Sequence, residues 1–153
     1  LFVPILLLLT AFIGACAGST GGGIKVIRTL VLAKQSAGEI TKLIHPNAVI
    51  SIKLGKKAVS PRIAESVWGF FSIYVIVFII LFMFLLAQGN DFITSFSAVG
   101  ATLNNLGPGL GDVANNYQSL NDYSKIVLCI AMILGRLEIF TLLVLFTPAF
   151  WKK

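Results

Sequence analysis

The sequence predicts an all-α integral membrane protein organised as helix, re-entrant pore loop, helix, and three observations carry that expectation. The chain is 57% hydrophobic and 12% charged, with a mean hydropathy of +0.93, whereas soluble domains carry about 25% charged residues. Apolar runs at 67–87 (VWGFFSIYVIVFIILFMFLLA) and 126–150 (IVLCIAMILGRLEIFTLLVLFTPAF) meet the ~20 residues that cross about 30 Å of hydrocarbon. Between them, NDFITSFSAVGATLNNLGPGLGD (90–112) opens as an amphipathic segment too short to span and closes in a glycine and proline tract.

The first apolar run, 1–17, reads as a membrane helix, with Pro4 tolerable near its start. It begins inside its own hydrophobic stretch, without Met and without the basic segment of a signal peptide, so the chain reads as a piece of a longer protein. GACAGSTGGG (14–23) follows, and its several glycines each cost a helix about 1 kcal/mol relative to alanine, which predicts an unwound segment. Unwound backbone at membrane depth persists where protein or a water-filled cavity satisfies it. A plain hinge is the alternative. A phosphate-binding loop fits poorly, because Ile24 separates Gly23 from Lys25 and no hydroxyl residue follows the lysine.

A helical pattern resumes at Ile24 and stops at His45-Pro46-Asn47. Ile50, Ile52 and Leu54 then alternate with Ser51 and Lys53 before Gly55-Lys56, the pattern of a short β-hairpin near 48–59 in a connection over 48–60. His45, the one histidine, lacks partners at metal-ligand spacing and reads as a helix-end residue. Cys16 and Cys129 lie in different apolar runs without CxxC spacing and read as buried thiols. Ser60-Pro61 is a helix start, the hydroxyl as N-cap and proline at the first helical position. The run from 67 to 87 is about 31 Å long as a helix, with Trp68 near the inner interface, and it ends at Gln88-Gly89.

Asn90 or Asp91 caps a short helix to Leu103 in which Phe92, Phe96, Val99 and Leu103 form one apolar face, and Thr94, Ser97 and Ala101 fill most of the rest. Its C-terminal end carries partial negative charge and favours a cation. Asn104, Asn105, Leu106, Gly107, Pro108 and Gly109 follow, an extended tract in which glycine permits carbonyls to be aimed alike and Pro108 stiffens the backbone. In the last run, Arg136 lies about 15 Å along a helix from Ile126, near mid-membrane. An ionisable group there marks function, although a structural ion pair with another helix is the alternative. Arg136 and Glu138 are two apart, so they do not share a face.

The charge of +6 is unevenly placed. Lys25, Arg28, Lys34, Lys42, Lys53, Lys56, Lys57 and Arg62 share one connection, and Lys152 and Lys153 end the chain. The connection holding Asp91, Asp112 and Asp122 has Lys125 as its one cation. Basic connections stay cytoplasmic, so this distribution argues for topology and against nucleic acid. No paired carboxylate, no nucleophile with a base and no metal cluster suggests an enzyme.

CAGSTGGGIKVIR (16–28), LIHPNAV (43–49), VWGFF (67–71), TLNNLGPGLG (102–111) and GRLEIFTLLVLFTPAFW (135–151) resemble, in order, the TrkH/KtrB type of bacterial potassium uptake subunit, within the superfamily of Trk, Ktr and plant HKT transporters and nearest its TrkH branch. The resemblance implies a potassium-channel-like pore of four helix, pore-loop, helix repeats. Residues 1–47 would be the last helix of the third repeat, and 61–153 the complete fourth. Asn104 to Gly109 would be one quarter of a K⁺ filter, with K⁺ at the backbone carbonyls of Asn105, Leu106 and Gly107. Gly18, Ser19, Thr20, Gly21, Gly22 and Gly23 would form an intramembrane gating loop, and Arg136 a pore arginine beside it. The transported ion would be K⁺, with no organic cofactor in this chain. The partners would be the remaining repeats, a second subunit in a homodimer, a cytosolic nucleotide-binding TrkA-type ring and the lipid bilayer of the bacterial inner membrane. A Na⁺-permeable relative and a nonconducting scaffold that docks a soluble partner are the alternatives.

The charge distribution places Lys56 and Lys153 in the cytoplasm and Asn116 outside. Cysteines introduced at these positions and labelled from each side of the membrane should react accordingly, and labelling of position 56 from outside would overturn the orientation.

Overall fold

The computed structural model describes residues 2–14, 24–47, 53–54 and 57–137. Within them lie α1 (Phe2–Ile13), α2 (Val26–Ile44), a hairpin of β1 (Lys53–Leu54) and β2 (Lys57–Ala58), α3 (Pro61–Ala87), α4 (Phe92–Leu103), a 3₁₀ turn (Gly111–Val113) and α5 (Asp122–Arg136). The described chain is therefore helical apart from two strands of two residues each, paired antiparallel with Lys53 opposite Ala58.

The first apolar run, read as a helix over 1–17, is helical to Ile13, because Gly14 turns to φ 74°. At 12 residues α1 is about 18 Å long, short of a membrane span. The Ile24 N–H donates to the Phe12 carbonyl at 3.2 Å, which holds the two ends of the glycine tract together. Helix α2 stops at His45, whose N–H meets the Thr41 carbonyl at 2.9 Å. It packs on α3 through Val31, Ala64 and Val67, and the Arg28 guanidinium lies 4.2 Å from the Phe70 ring centroid. The Lys34 ammonium donates to the Lys53 carbonyl at 2.6 Å and ties the hairpin to α2.

Helix α3 has 27 residues and is the one helix among those described that is long and apolar enough to cross a membrane. Ser60 sits at its N-cap and Pro61 opens it, yet the Ser60 hydroxyl makes no capping bond. The Ser60 carbonyl instead accepts from the N–H groups of Ile63 and Ala64 at 3.0 and 3.3 Å. The expected end at Gln88-Gly89 is where α3 stops.

Helix α4 lies in a cradle of α1, α3 and α5. Asp91 caps it, its carboxylate accepting from Ile93 N–H at 3.2 Å. The buried residues differ from the apolar face read from the sequence. Val99 and Leu103 are fully buried, but so are Ser95, Ser97, Ala98 and Ala101, while Phe92 is 61% exposed. Small side chains let neighbouring backbones approach closely, and hydroxyls can satisfy the backbone they approach. Around the rim, Phe12, Phe78, Phe82, Phe92 and Phe96 pack edge to face, tilted or stacked, with centroids 5.3 to 6.4 Å apart.

The last apolar run departs further from expectation. Helix α5 begins at Asp122 and ends at Arg136, with Leu137 at φ −86°, ψ 10°, and the rest of the predicted span with Glu138 lies outside the described residues. Near this end the Asn105 amide donates to the Met132 carbonyl at 3.4 Å, and Leu137 N–H still meets the Ile133 carbonyl at 3.0 Å. Ser124, Leu128 and Ala131 are buried, and with Gly135 they recur at i, i+4, i+7 and i+11 to make the stripe that faces α4. Cys129, expected to be buried, lies off this stripe and is an exposed free thiol; Cys16 lies outside the described residues.

A Cβ at Gly135 would run into the Leu103 carbonyl. Gly135→Ala should therefore force α5 off α4 and lower stability by about 1–3 kcal/mol. A fall in the melting temperature of the purified subunit checks this, with Cys129→Ala on the open face as the variant that should leave it unchanged.

Candidate functional site

The hydrogen bonds around α4 trace a segment that goes halfway along α3 and comes back. At its start the Asn90 amide donates to the Leu85 carbonyl at 2.9 Å, near the end of α3. At its far end the Tyr74 hydroxyl, on the middle residue of the 27-residue α3, donates to Asn104 Oδ1 at 2.8 Å. The Asn121 amide then reaches Gln88 Oε1 at 3.5 Å, back at the level of the start.

The turn at the far end is a Schellman motif. Asn104 is the C-cap at φ −91°, ψ 0°, and Asn105 is left-handed at φ 54°. Asn105 N–H donates to the Thr102 carbonyl at 3.1 Å and Leu106 N–H to the Ala101 carbonyl at 2.8 Å, the two bonds that define the motif. Asn tolerates the left-handed region better than most residues. The buried Asn104 amide also donates to the Gly100 carbonyl at 2.7 Å, so both ends of that side chain are engaged. Among the described residues, no hydrogen bond reaches the carbonyls of Leu103, Asn104, Asn105 or Leu106.

From Gly107, at φ 101°, the chain turns back. Ser97 Oγ accepts from Leu110 N–H at 2.8 Å and lies 3.0 Å from the Leu110 carbonyl, and Thr94 Oγ1 accepts from Asp112 N–H at 3.3 Å. These hydroxyls stand in for a strand partner along the returning backbone. A Cβ at buried Gly109 would come within 2.6 Å of Val113 Cγ2 and 3.2 Å of Ser97 Oγ, so close approach to α4 requires glycine there. Leu106 is 46% exposed, Pro108 is exposed, and the Gly107 carbonyl accepts from the Tyr117 hydroxyl at 2.7 Å. Burial pushes the Tyr117 phenol above its ordinary range.

Asn104, Asn105, Leu106, Gly107, Pro108 and Gly109 are thus gathered in one turn and its return. Arg136 is exposed and follows Gly135, the residue against the Leu103 carbonyl, which sets it beside the far end of α4. Gly18, Ser19, Thr20, Gly21, Gly22 and Gly23 lie outside the described residues. The base of their tract is described, and it too meets α4: a Cβ at Gly100 would stand 3.3 Å from Phe12 Cζ. No group of three or more His, Cys, Asp or Glu stands together among the described residues. Tyr74, Tyr117, Thr94 and Ser97 were not singled out as site residues from the sequence. Tyr74 carried a signal, since a tyrosine inside an uncharged span must find a partner for its hydroxyl; Tyr117, in a polar loop, carried none.

Comparison with known proteins gives concordant matches. The family model described as TrkH, cation transport protein, matches residues 2–153. The chain is 60% identical over 153 residues to the Trk system potassium uptake protein TrkH of Escherichia coli K12, covering all of this chain and 32% of that protein. It is 47% identical over 149 residues to TrkG of the same organism, covering 97% and 31%. It superposes on the crystal structure of the potassium transporter TrkH from Vibrio parahaemolyticus with a TM-score of 0.90 at 56% identity, over 99% of this chain and 32% of that one. The chain spans about a third of the length of the curated relatives it matches. With a family model covering nearly every residue, the chain belongs to the TrkH family of cation transport proteins.

Proposed function

We propose that this chain is the C-terminal part of the pore-forming subunit of a K⁺ uptake system, and that residues 104–109 are one quarter of its ion filter. The observation that carries the reading is the bare end of α4, where four successive carbonyls, Leu103 to Leu106, accept no hydrogen bond from the described residues. They cluster at a helix C-terminus, where the partial charge is negative, and level with the middle of α3. A dehydrating cation needs such oxygens in place of water. The carbonyls of Asn105, Leu106 and Gly107 are the proposed K⁺ ligands, the last retaining one lone pair beside its bond from Tyr117. K⁺ as the ion follows the relatives, which are potassium uptake proteins and a potassium transporter.

Residues 61–153 would form one complete repeat and residues 1–47 the last helix of the one before, with the other repeats closing the filter. The tract Gly18, Ser19, Thr20, Gly21, Gly22 and Gly23 would be an intramembrane gate whose base, pinned at Phe12 and Ile24, abuts α4. Arg136 would stand beside it, repelling cations and donating to unwound carbonyls. The proposed setting is the bacterial inner membrane with a cytoplasmic C-terminus, in a homodimer. The basic stretch over 25–62 would face a cytosolic nucleotide-binding TrkA-type ring.

In the full-length subunit, Gly107→Ser should lower K⁺ over Na⁺ discrimination. Space for a Cβ is open there, but a side chain at positive φ costs about 1–2 kcal/mol and would twist the carbonyls on either side. Unchanged discrimination in uptake assays at normal expression would count against the site. Arg136→Ala should raise K⁺ flux in liposomes lacking the regulator. A well-folded variant with unchanged or lower unregulated flux would refute the gate.

A further inference from the structure

The two residues at the crest of the turn, Gly107 and Pro108, are the least anchored part of the loop. Before them, Leu106 N–H is held by the Ala101 carbonyl. After them, Gly109 N–H meets the Val113 carbonyl at 3.2 Å and Leu110 N–H meets Ser97 Oγ. Proline has no N–H, so the peptide between Gly107 and Pro108 can be held through its carbonyl alone. Gly107 at φ 101° has neither a side chain nor any atom within 4 Å of a Cβ position to fix it by packing. Among the described residues, one hydrogen bond touches this pair, from the Tyr117 hydroxyl to the Gly107 carbonyl at 2.7 Å.

Tyr117 itself is well held. Its ring packs against the buried cluster that includes Val113 and Leu120, and its carbonyl accepts from Leu120 N–H at 3.3 Å. The phenol therefore reaches the crest from a fixed platform in the loop between the 3₁₀ turn and α5. We infer that Tyr117 is a positioning residue for ion selection: its hydroxyl fixes the rotation of the peptide between Gly107 and Pro108, and with it the direction of the Gly107 carbonyl. The inference rests on the reading of residues 104–109 as a filter. A carbonyl free to rotate would adapt to a smaller ion, whereas a held one keeps the spacing that suits the larger.

The test compares Tyr117→Phe, which removes the hydroxyl and leaves the ring, with Tyr123→Phe, which alters an exposed tyrosine at the start of α5. Both are made in the full-length subunit and assayed in proteoliposomes alongside Gly107→Ser. The readout is the K⁺/Na⁺ permeability ratio, a property of the folded pore that reduced expression does not move. Tyr117→Phe should lower the ratio by about three- to tenfold, the factor to which one neutral hydrogen bond corresponds. Tyr123→Phe should leave it unchanged. If Tyr117→Phe keeps the native ratio while Gly107→Ser lowers it, the filter reading stands and the role of Tyr117 is overturned. If both variants keep the native ratio, the filter reading fails and the inference fails with it.

Discussion

The last four carbonyls of an α-helix have no partner within the helix, and in apolar surroundings each must find one elsewhere. Helix α4 ends halfway along α3, where that requirement is hardest to meet. The Gly100 carbonyl takes both the backbone and side-chain N–H of Asn104, Ala101 takes Leu106, and Thr102 takes Asn105. Among the described residues, no donor reaches the Leu103 carbonyl or those of Asn104, Asn105 and Leu106 beyond the helix. The surrounding structure accommodates this end: the Tyr74 hydroxyl steadies Asn104, and Gly135 leaves room for Leu103. A helix end so supported, yet holding oxygens that no described residue uses, is the arrangement from which the cation-filter proposal is built.

The returning chain solves a second problem with different chemistry. A single extended segment beside a helix has no strand to pair with, so its N–H groups need other acceptors. Thr94 and Ser97 supply them from the buried face of α4, and glycine at 109 allows the close approach this demands. The same residues explain why α4 buries hydroxyls and small side chains while Phe92 stays largely exposed. Packing and hydrogen bonding thus select the same short side chains.

Much of this was legible in the sequence because it depends on local chemistry. The start of α3 at Ser60-Pro61 and its end at Gln88-Gly89, the start of α4 at Asn90 or Asp91 and its stop at Leu103, and the halt of α2 before Pro46 all follow from residues within one turn of each boundary. Readings that depended on distant partners fared worse. The apolar run after Ile126 gives no sign that α5 ends at Arg136, or that its last turn meets Asn105, 27 residues earlier than Met132. The buried face of α4 was misjudged because hydrophobic periodicity ignores hydroxyls that serve a neighbouring backbone. Tyr117 was invisible for the same reason, since its partner lies across a polar loop with no pattern to expose it.

The central claim is that the Asn105, Leu106 and Gly107 carbonyls in the turn after α4 face an ion path. Crystals of the full-length subunit soaked in Rb⁺ or Tl⁺ test it most directly, because anomalous scattering locates these K⁺ substitutes without reference to the protein. The account predicts an anomalous peak on the pore axis within coordination distance of the Asn105, Leu106 and Gly107 carbonyls. A filter empty of Rb⁺ and Tl⁺, with the carbonyls from Leu103 to Leu106 hydrogen-bonded to neighbouring repeats instead, would contradict it.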